Sequence, residues 1–424
     1  MLRKKILVVG GGITGIALSK FLSLKKNEIT ILESSNKLGG FLKSTKANGS
    51  SFDLGPHYIR ETGEKKIDKI LFKKIKKDWI NINYLKSGNF FKKKIIEHNQ
   101  FINIKELTEY KKSLAELQKN NYETKKFKNE YDRCLNIFGK IITKKVIEPI
   151  MFKYTGLKLN KLPLELSTKF GLSRVIINNK KLTFKLKKQK KFDDCIAYET
   201  HKEGVSFKKN YYPKNGCIDQ FVKYFLKKKI KIILNNTIKK FKIQKNFITE
   251  IVLSNGEIIK ADKIFWTIPR EQFFKIINKY KIYNRKKKIF WKFINIISDK
   301  KLKSNCYYIN IHDPKTNIYR ITLYRNLQKN DKKNRMTIEH VSPKYKNINL
   351  SYIKRYLVKI GLISGNQKID ILNQVTIPIN LPLKQIETSK DNYIKNLKFI
   401  GGGFFNQISQ EHTITNVYNL ARQQ

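Results

Sequence analysis

Residues 4–22, KKILVVGGGITGIALSKFL, decide how the rest of the chain is read. A short apolar run broken by three consecutive glycines admits three readings: a secretion signal, a nicotinamide-dinucleotide turn or a flavin-dinucleotide turn. The basic start (Arg3, Lys4, Lys5) meets the loose description of a signal. The spacing argues otherwise. Gly10, Gly12 and Gly15 form G-x-G-x-x-G between a strand expected over 5–9 and a helix expected over 13–24, the context in which that motif has a physical meaning. Gly10 then allows the tight turn, Gly12 lets backbone approach a pyrophosphate, and Gly15 lets the helix pack close to the strand. The helix N-terminus at Ile13 and Thr14 faces the phosphates with backbone N–H groups and partial positive charge. NEITILESS adds a second strand ending at Glu33, eighteen residues after Gly15 and placed to accept hydrogen bonds from a ribose diol. A cleaved leader would discard a well-formed dinucleotide unit.

At 424 residues the chain suggests about two to three lobes, and 40% hydrophobic content is enough to build them. A formal net charge of +56 raises the question of a nucleic acid or anionic-membrane partner. Only 11 of the 89 basic residues are arginine, and the lysines run through almost the whole chain beside many Ile and Asn. A phosphate-reading surface favours the bidentate fork of arginine, so the pattern points to compositional drift and away from a specific nucleic-acid partner. Weak peripheral attraction to anionic membrane stays open. Cys134, Cys195, Cys217 and Cys306 form no C-x-x-C pair and no metal-ligand spacing with the six histidines, which implies reduced structural thiols, no metal and a cytoplasmic protein. No apolar run reaches the roughly 18 residues of a membrane-spanning helix.

After Glu33, Gly39 and Gly40 mark a second close backbone approach, and FDLGPHYI brings a Gly-Pro turn together with His57. Residues 62 to about 170 read mostly helical, with Pro149 as a break or kink. KKLTFKLKKQKKF reads as solvated strand or loop. Further on, NYYPKNGCIDQFVKYFLKKK reads as a turn and an amphipathic helix, and Asn255-Gly256 signals a hairpin among short strands. Residues 275 to 385 read as strands with helices between. The end, LKFIGGGFFNQISQEHTITNVYNLARQQ, repeats the opening logic of strand, glycines, loop and helix. The chain is therefore expected to begin and end in one nucleotide-binding lobe.

These landmarks, VVGGGITG, ILESSNKLGG, FDLGPH, EPIMFKYTGLKLNKLPLEL, YYPKNG, ILNNTI, ADKIFWTIP and LKFIGGG, resemble in their order the flavin-dependent amine oxidase, protoporphyrinogen oxidase and UDP-galactopyranose mutase superfamily. The resemblance implies an α/β fold: a Rossmann-type FAD-binding lobe, its parallel sheet covered by helices on both faces, and an inserted mixed α+β substrate lobe. The corresponding segments are 1–61, 205–272 and 386–424 for the FAD lobe, and 62–204 and 273–385 for the substrate lobe. It implies FAD as cofactor. Gly10, Gly12, Ile13, Thr14 and Gly15 would lie at the pyrophosphate, Glu33 at the adenosine ribose, and Gly39 and Gly40 at the phosphate and flavin end. Gly55, Pro56 and His57 would lie near the isoalloxazine, Ile238 would meet the adenine through its backbone, and Gly401 and Gly402 with a helix beginning near Thr413 and Ile414 would cap the flavin.

The sequence departs from both branches of this group. Phe41 replaces the arginine that often follows Gly-Gly in amine oxidases. The arginine and tyrosines that the mutase branch carries around its last glycine are missing from GGGFFNQISQEHT. The leading expectation is an FAD-dependent oxidoreductase acting on an unassigned small molecule, with His57, Arg60 and Arg320 as candidate catalytic groups. In NIYRITLYRN, strand alternation puts Arg320, Thr322 and Tyr324 on one face. The alternative is a non-redox, UDP-galactopyranose mutase-like enzyme of surface polysaccharide synthesis, in which Arg320, Arg174 and nearby lysines would hold a diphosphate.

Overall fold

The computed structural model describes residues 3–73, 75, 77–119, 127–203, 208–226, 229–278, 286–328, 331–383, 394–400 and 409–424. Strand Lys5–Val9 lies at the centre of a five-stranded sheet whose order is Lys231–Ile233, Glu28–Leu32, Lys5–Val9, Lys263–Trp266, Leu397–Phe399. Every pair in it is parallel. Burial on both faces explains why Ile6 to Val9 are uniformly apolar and no more than 4% exposed. One face is covered by helices Ile13–Leu22, Gln220–Phe225 and Gln410–Arg422, where Phe21 packs edge-on against Phe225 and Tyr418. The other face carries the antiparallel strands Ile238–Gln244, Phe247–Leu253 and Ile258–Ile259 with helix Arg270–Ile276, joined through Leu7, Trp266, Phe241 and Phe273. Gly256, at φ 88°, makes the turn between the last two strands. The last strand, Leu397–Phe399, closes the sheet beside Lys263–Trp266, so the two ends of the chain do meet in one sheet.

A second, seven-stranded sheet runs Ile369–Pro382, Lys286–Ser298, Arg335–Ser342, Ile318–Leu323, Tyr308–Ile311, Ser87–Phe91, Lys94–Glu97. It is antiparallel except where Ser87–Phe91 runs parallel to Tyr308–Ile311. A three-stranded sheet, Ile59–Arg60, Asn210–Pro213 and Trp79–Ile82, links the segment after the dinucleotide turn to this part of the molecule.

One expectation is refined and one corrected here. Residues 62–170 are largely helical, through Lys65–Phe72, Tyr110–Lys119, Glu130–Ile142 and Glu148–Thr155, but between the first two of these helices the chain also forms strands Trp79–Ile82, Ser87–Phe91, Lys94–Glu97 and Ile102–Asn103. SGNFF is buried at every position and pairs on both sides, so its ladder and packing outweigh the helical bias of the surrounding lysines. The lysine-dense KKLTFKLKKQKKF is two short helices, Lys180–Leu186, capped by Asn179, and Lys190–Asp193, packed through Leu186 and Phe192. Pro149 does mark a change. It follows directly on a π-helical stretch, Thr143–Ile147, that runs in αR geometry into Glu148–Thr155, and the wider turn there accommodates a residue without an N–H.

All four cysteines are buried and free of disulfides, and burial pushes Cys134 and Cys195 up to about 12. Among the described residues no cluster of potential metal ligands occurs, and no helix is long and apolar enough to cross a membrane.

Candidate active site

The opening turn has the geometry that its glycines require. Gly10 lies at φ +106°, and a side chain there would strike Thr267 and Ile268 at 2.6 Å. Gly15 presses helix Ile13–Leu22 onto the turn so closely that a Cβ would lie 1.9 Å from the Gly10 carbonyl oxygen. Gly12 differs: nothing lies within 4 Å of the place its Cβ would occupy. It is also the N-cap of the helix, which has no side-chain cap and no acid in its first turn. An open cradle at an uncapped helix N-terminus suits a pyrophosphate, and FAD or another dinucleotide fits these residues. Gly39 and Gly40, at φ +130° and +56°, form the facing wall; Gly39 N–H donates to Gly11 O at 2.7 Å.

Glu33 stands at the end of its strand with both oxygens organised. Gly11 N–H donates to Oε2 at 2.7 Å, and Ser35 donates to Oε1 through its backbone N–H at 3.0 Å and its hydroxyl at 2.5 Å. Burial alone would raise this carboxyl, but those hydrogen bonds and Lys43 hold it below the usual range. The segment after Ile233 fastens the loop: Asn235 and Asn236 donate to the carbonyls of Ser35 and Glu33 at 3.1 and 3.3 Å. Ile238 follows as the buried first residue of its strand. Gly11, Ser35, Lys43 and Thr267, none of them anticipated, complete this neighbourhood. A serine two residues after an acid signals a local hydrogen bond in sequence; the other three are brought in by the fold.

From here the hairpin Ser44–Ala47 and Ser50–Asp53 leads to the Gly-Pro-His turn. Asp53 anchors it, 1% exposed, accepting from Tyr212 Oη at 2.6 Å, Ser44 Oγ at 2.8 Å and Ile218 N–H at 3.0 Å. Tyr324 Oη accepts from the Asp53 N–H at 2.7 Å. Gly55 lies at φ +92° with the Glu339 carboxylate 3.1 Å from its Cβ position, so the turn's backbone is packed onto that acid. His57 Nε2 donates to Leu54 O at 2.7 Å, which leaves Nδ1 as its proton-accepting atom.

Arg320 is not a free cation. Its Nε and Nη2 engage Glu339 Oε1 and Oε2 at 2.7 and 3.3 Å, and Trp291 Nε1 donates to the same Oε2 at 2.9 Å. Glu339, 1% exposed, and Trp291 come from neighbouring strands far away in sequence. The Arg320 guanidinium also lies 4.8 Å from the Tyr319 ring centroid and 5.8 Å from that of Tyr308. Thr322 and Tyr324 are buried; the strand ends at Leu323, so its alternation does not extend to Tyr324, whose hydroxyl lies 2.9 Å from Thr337 Oγ1.

Tyr308 also lines a cavity of about 410 Å³, together with Arg60, Arg174, Lys187 and Lys208. Asp193 is the one acid of that lining, and Lys187 already pairs with it at 2.5 Å. Tyr84, Phe101 and Tyr198 supply ring surfaces, and Asn99 and His201 polar ones. Arg60 reaches Glu411 at 3.5 Å, while its Nε is buried without a hydrogen-bond partner among the described residues. The structure thus brings Arg60 and Arg174 together in a cavity that adjoins, through Tyr308, the Arg320, Glu339 and His57 cluster.

The closing helix is Gln410–Arg422, capped by Ser409, so Thr413 lies within its first turn and does not begin it. Thr413 Oγ1 donates to Ser409 O at 3.0 Å, and Ile414 packs in the core. Gly401 and Gly402 lie outside the described residues.

Burial lowers His57 to about 4, with Arg320 adding to the effect and Glu339 opposing it. His201, His312 and His340 are likewise held near 4 by burial. Their pKa in an unfolded chain is about 6.5, so between roughly pH 6.5 and 4 the unfolded state binds more protons and stability falls as pH falls. Asp53, raised to about 6 by burial, works in the opposite sense, but with one proton against four. Thermal unfolding is therefore expected at a clearly lower temperature at pH 5 than at pH 7. A melting temperature that is flat or rises on acidification across that range would contradict the burial of these rings.

A family model described as an NAD(P)-binding Rossmann-like domain matches residues 8–72. The 4,4'-diapophytoene desaturase (4,4'-diaponeurosporene-forming) of Staphylococcus aureus strain COL is 38% identical over 55 residues, a match that spans 13% of this chain and 11% of that relative. Reduced UDP-galactopyranose mutase superposes with a TM-score of 0.72 at 17% identity, covering 99% of this chain and 95% of that one. A putative protoporphyrinogen oxidase from Exiguobacterium superposes at 0.63 and 12% identity, with 100% of both chains covered. A redesigned putrescine oxidase superposes at 0.60 and 9% identity, covering 100% of this chain and 99% of that one. These likenesses show a Rossmann-like nucleotide-binding segment over residues 8–72 and, along the whole chain, a fold shared with these solved structures.

Proposed function

We propose that the protein is an FAD-dependent enzyme whose substrate is an anionic nucleotide sugar, in the manner of UDP-galactopyranose mutase. The observation that carries this reading is the cavity: four cationic side chains and one acid together with aromatic rings, one of which, Tyr308, also lies against Arg320. A diphosphate is satisfied by arginine forks and a nucleobase by ring faces. In this reading the FAD lobe comprises 1–61, 205–272 and 386–424, and the substrate lobe the remainder. All strands of the parallel sheet fall in the former and all strands of the seven-stranded sheet in the latter.

FAD, when bound, supplies the electron-pair chemistry of the reaction. The chain's own residues do the rest. Gly10, Gly12, Gly39 and Gly40 with the helix N-terminus take the pyrophosphate, and Glu33 the ribose. Arg60 and Arg174 hold the substrate diphosphate. Neutral His57 offers Nδ1 as a proton acceptor, and Arg320, charge-balanced by Glu339, serves as a directional donor rather than as a net positive charge.

A redox enzyme, the leading expectation from sequence, is the second reading, favoured by the identity to the desaturase. That identity spans 55 residues and so bears on cofactor binding more than on substrate. An apolar polyene would have no use for the four cationic side chains of this cavity. Titration of the oxidised and reduced protein with UDP and a UDP-sugar separates the readings. Binding is expected, and Arg174→Ala should weaken it by roughly tenfold to several hundredfold, the loss of a charge-assisted pair. No UDP binding in either redox state, with substrate-dependent flavin bleaching by an uncharged compound, would leave the oxidoreductase.

A further inference from the structure

The lip of the glycine cradle carries a cation that the G-x-G-x-x-G argument does not use. Lys43 follows the Gly39-Gly40 turn by three residues, and its Cγ lies 3.2 Å from the place a Gly39 Cβ would occupy. Its ammonium donates to Ser35 Oγ and stands 3.7 Å from Glu33 Oε1. Both partners are well covered, with side-chain exposures of 19% for Lys43 and 12% for Glu33. Burial works against the ammonium, and Glu33 offsets that cost. Immediately after the turn stands Phe41, which carries no charge.

Glu33 creates an electrostatic problem. An acid suited to a ribose diol puts a negative charge beside the helix N-terminus at which a dianionic pyrophosphate would sit, and like charges close together in a partly buried site repel. We propose that Lys43 is a positioning residue for the dinucleotide, cancelling the charge of Glu33 so that a diphosphate can enter the glycine cradle. The proposal rests on the reading of this turn as a dinucleotide site. It assigns to Lys43 an effect that depends on ligand charge, which a merely structural lysine would not have.

The test is calorimetric titration of cofactor-free protein with ADP and with adenosine, at low salt. Lys43→Met and Lys43→Gln should lower ADP affinity about tenfold or more while adenosine changes less than about twofold. Lys43→Arg should restore ADP binding. Glu33→Gln combined with Lys43→Met weakens both ligands through the ribose but should recover the wild-type ratio of ADP to adenosine affinity, because the repelling charge is gone. Equal losses for adenosine and ADP, or no recovery of that ratio in the combined variant, would overturn the proposal, as would ADP binding indifferent to Lys43. A wild-type protein that binds neither ADP nor FAD overturns the dinucleotide reading itself and this proposal with it.

Discussion

Gly12→Val is expected to abolish FAD retention in a protein that still folds. The Cβ of this residue would enter space in which no protein atom lies within 4 Å, and the backbone there has an ordinary φ of −75°. The fold therefore loses little: exchanging glycine for valine at a helix N-cap costs about 1 kcal/mol or less. The added side chain stands where the pyrophosphate must approach the backbone, so affinity should fall by at least about two orders of magnitude, about 2.7 kcal/mol. Gly15→Ala supplies the contrast, since its Cβ would fall 1.9 Å from the Gly10 carbonyl oxygen and must force the helix off the strand. That variant is expected to lose stability as well as cofactor. Flavin absorbance of the purified variants, with fluorescence titration and thermal melting, checks both. Unchanged FAD affinity in Gly12→Val would show that the turn is not the cofactor site.

The second large effect concerns Arg320, whose role changes between sequence and structure. Arg320→Met leaves Glu339, 1% exposed, without its cation. Breaking one partner of such a pair typically costs about 3–5 kcal/mol. Arg320→Met/Glu339→Gln should recover most of that loss, because an amide of the same shape needs no counter-charge and still accepts from Trp291. Denaturant unfolding of the two variants beside wild type measures the difference. A single variant as stable as wild type would mean that the bidentate pair contributes nothing to the fold. Recovered stability without recovered UDP binding would also separate Arg320's structural share from any share in the substrate site.

The nucleotide-binding part was legible in sequence because its information is local. Strand, glycine turn and helix follow one another within 22 residues, and Gly15 answers to the carbonyl of Gly10 close by in sequence, whereas the crowding of Gly10 by Thr267 and Ile268 is added by the fold. Glu33 belongs to the same continuous unit. The return of the chain to the first sheet was legible too, since an apolar strand followed by glycines at the end of the sequence reproduces the opening pattern.

The substrate side was not legible, and the reason is distance along the chain. Arg320 read as an available cation because alternation along one strand says which face a residue occupies but not what the adjacent strand places opposite it. Its partner Glu339, nineteen residues later, reaches it only through the antiparallel ladder, and Trp291 joins from the next strand over. The cavity likewise draws Arg60, Arg174 and Tyr308 from three separate stretches, and Lys187 entered it from a segment that composition alone assigned to solvent. Short-range sterics and periodicity thus determined the cofactor fold from sequence. Which charges are free, which are neutralised and which share a cavity was decided by tertiary packing, because burial and pairing depend on neighbours that no local pattern specifies.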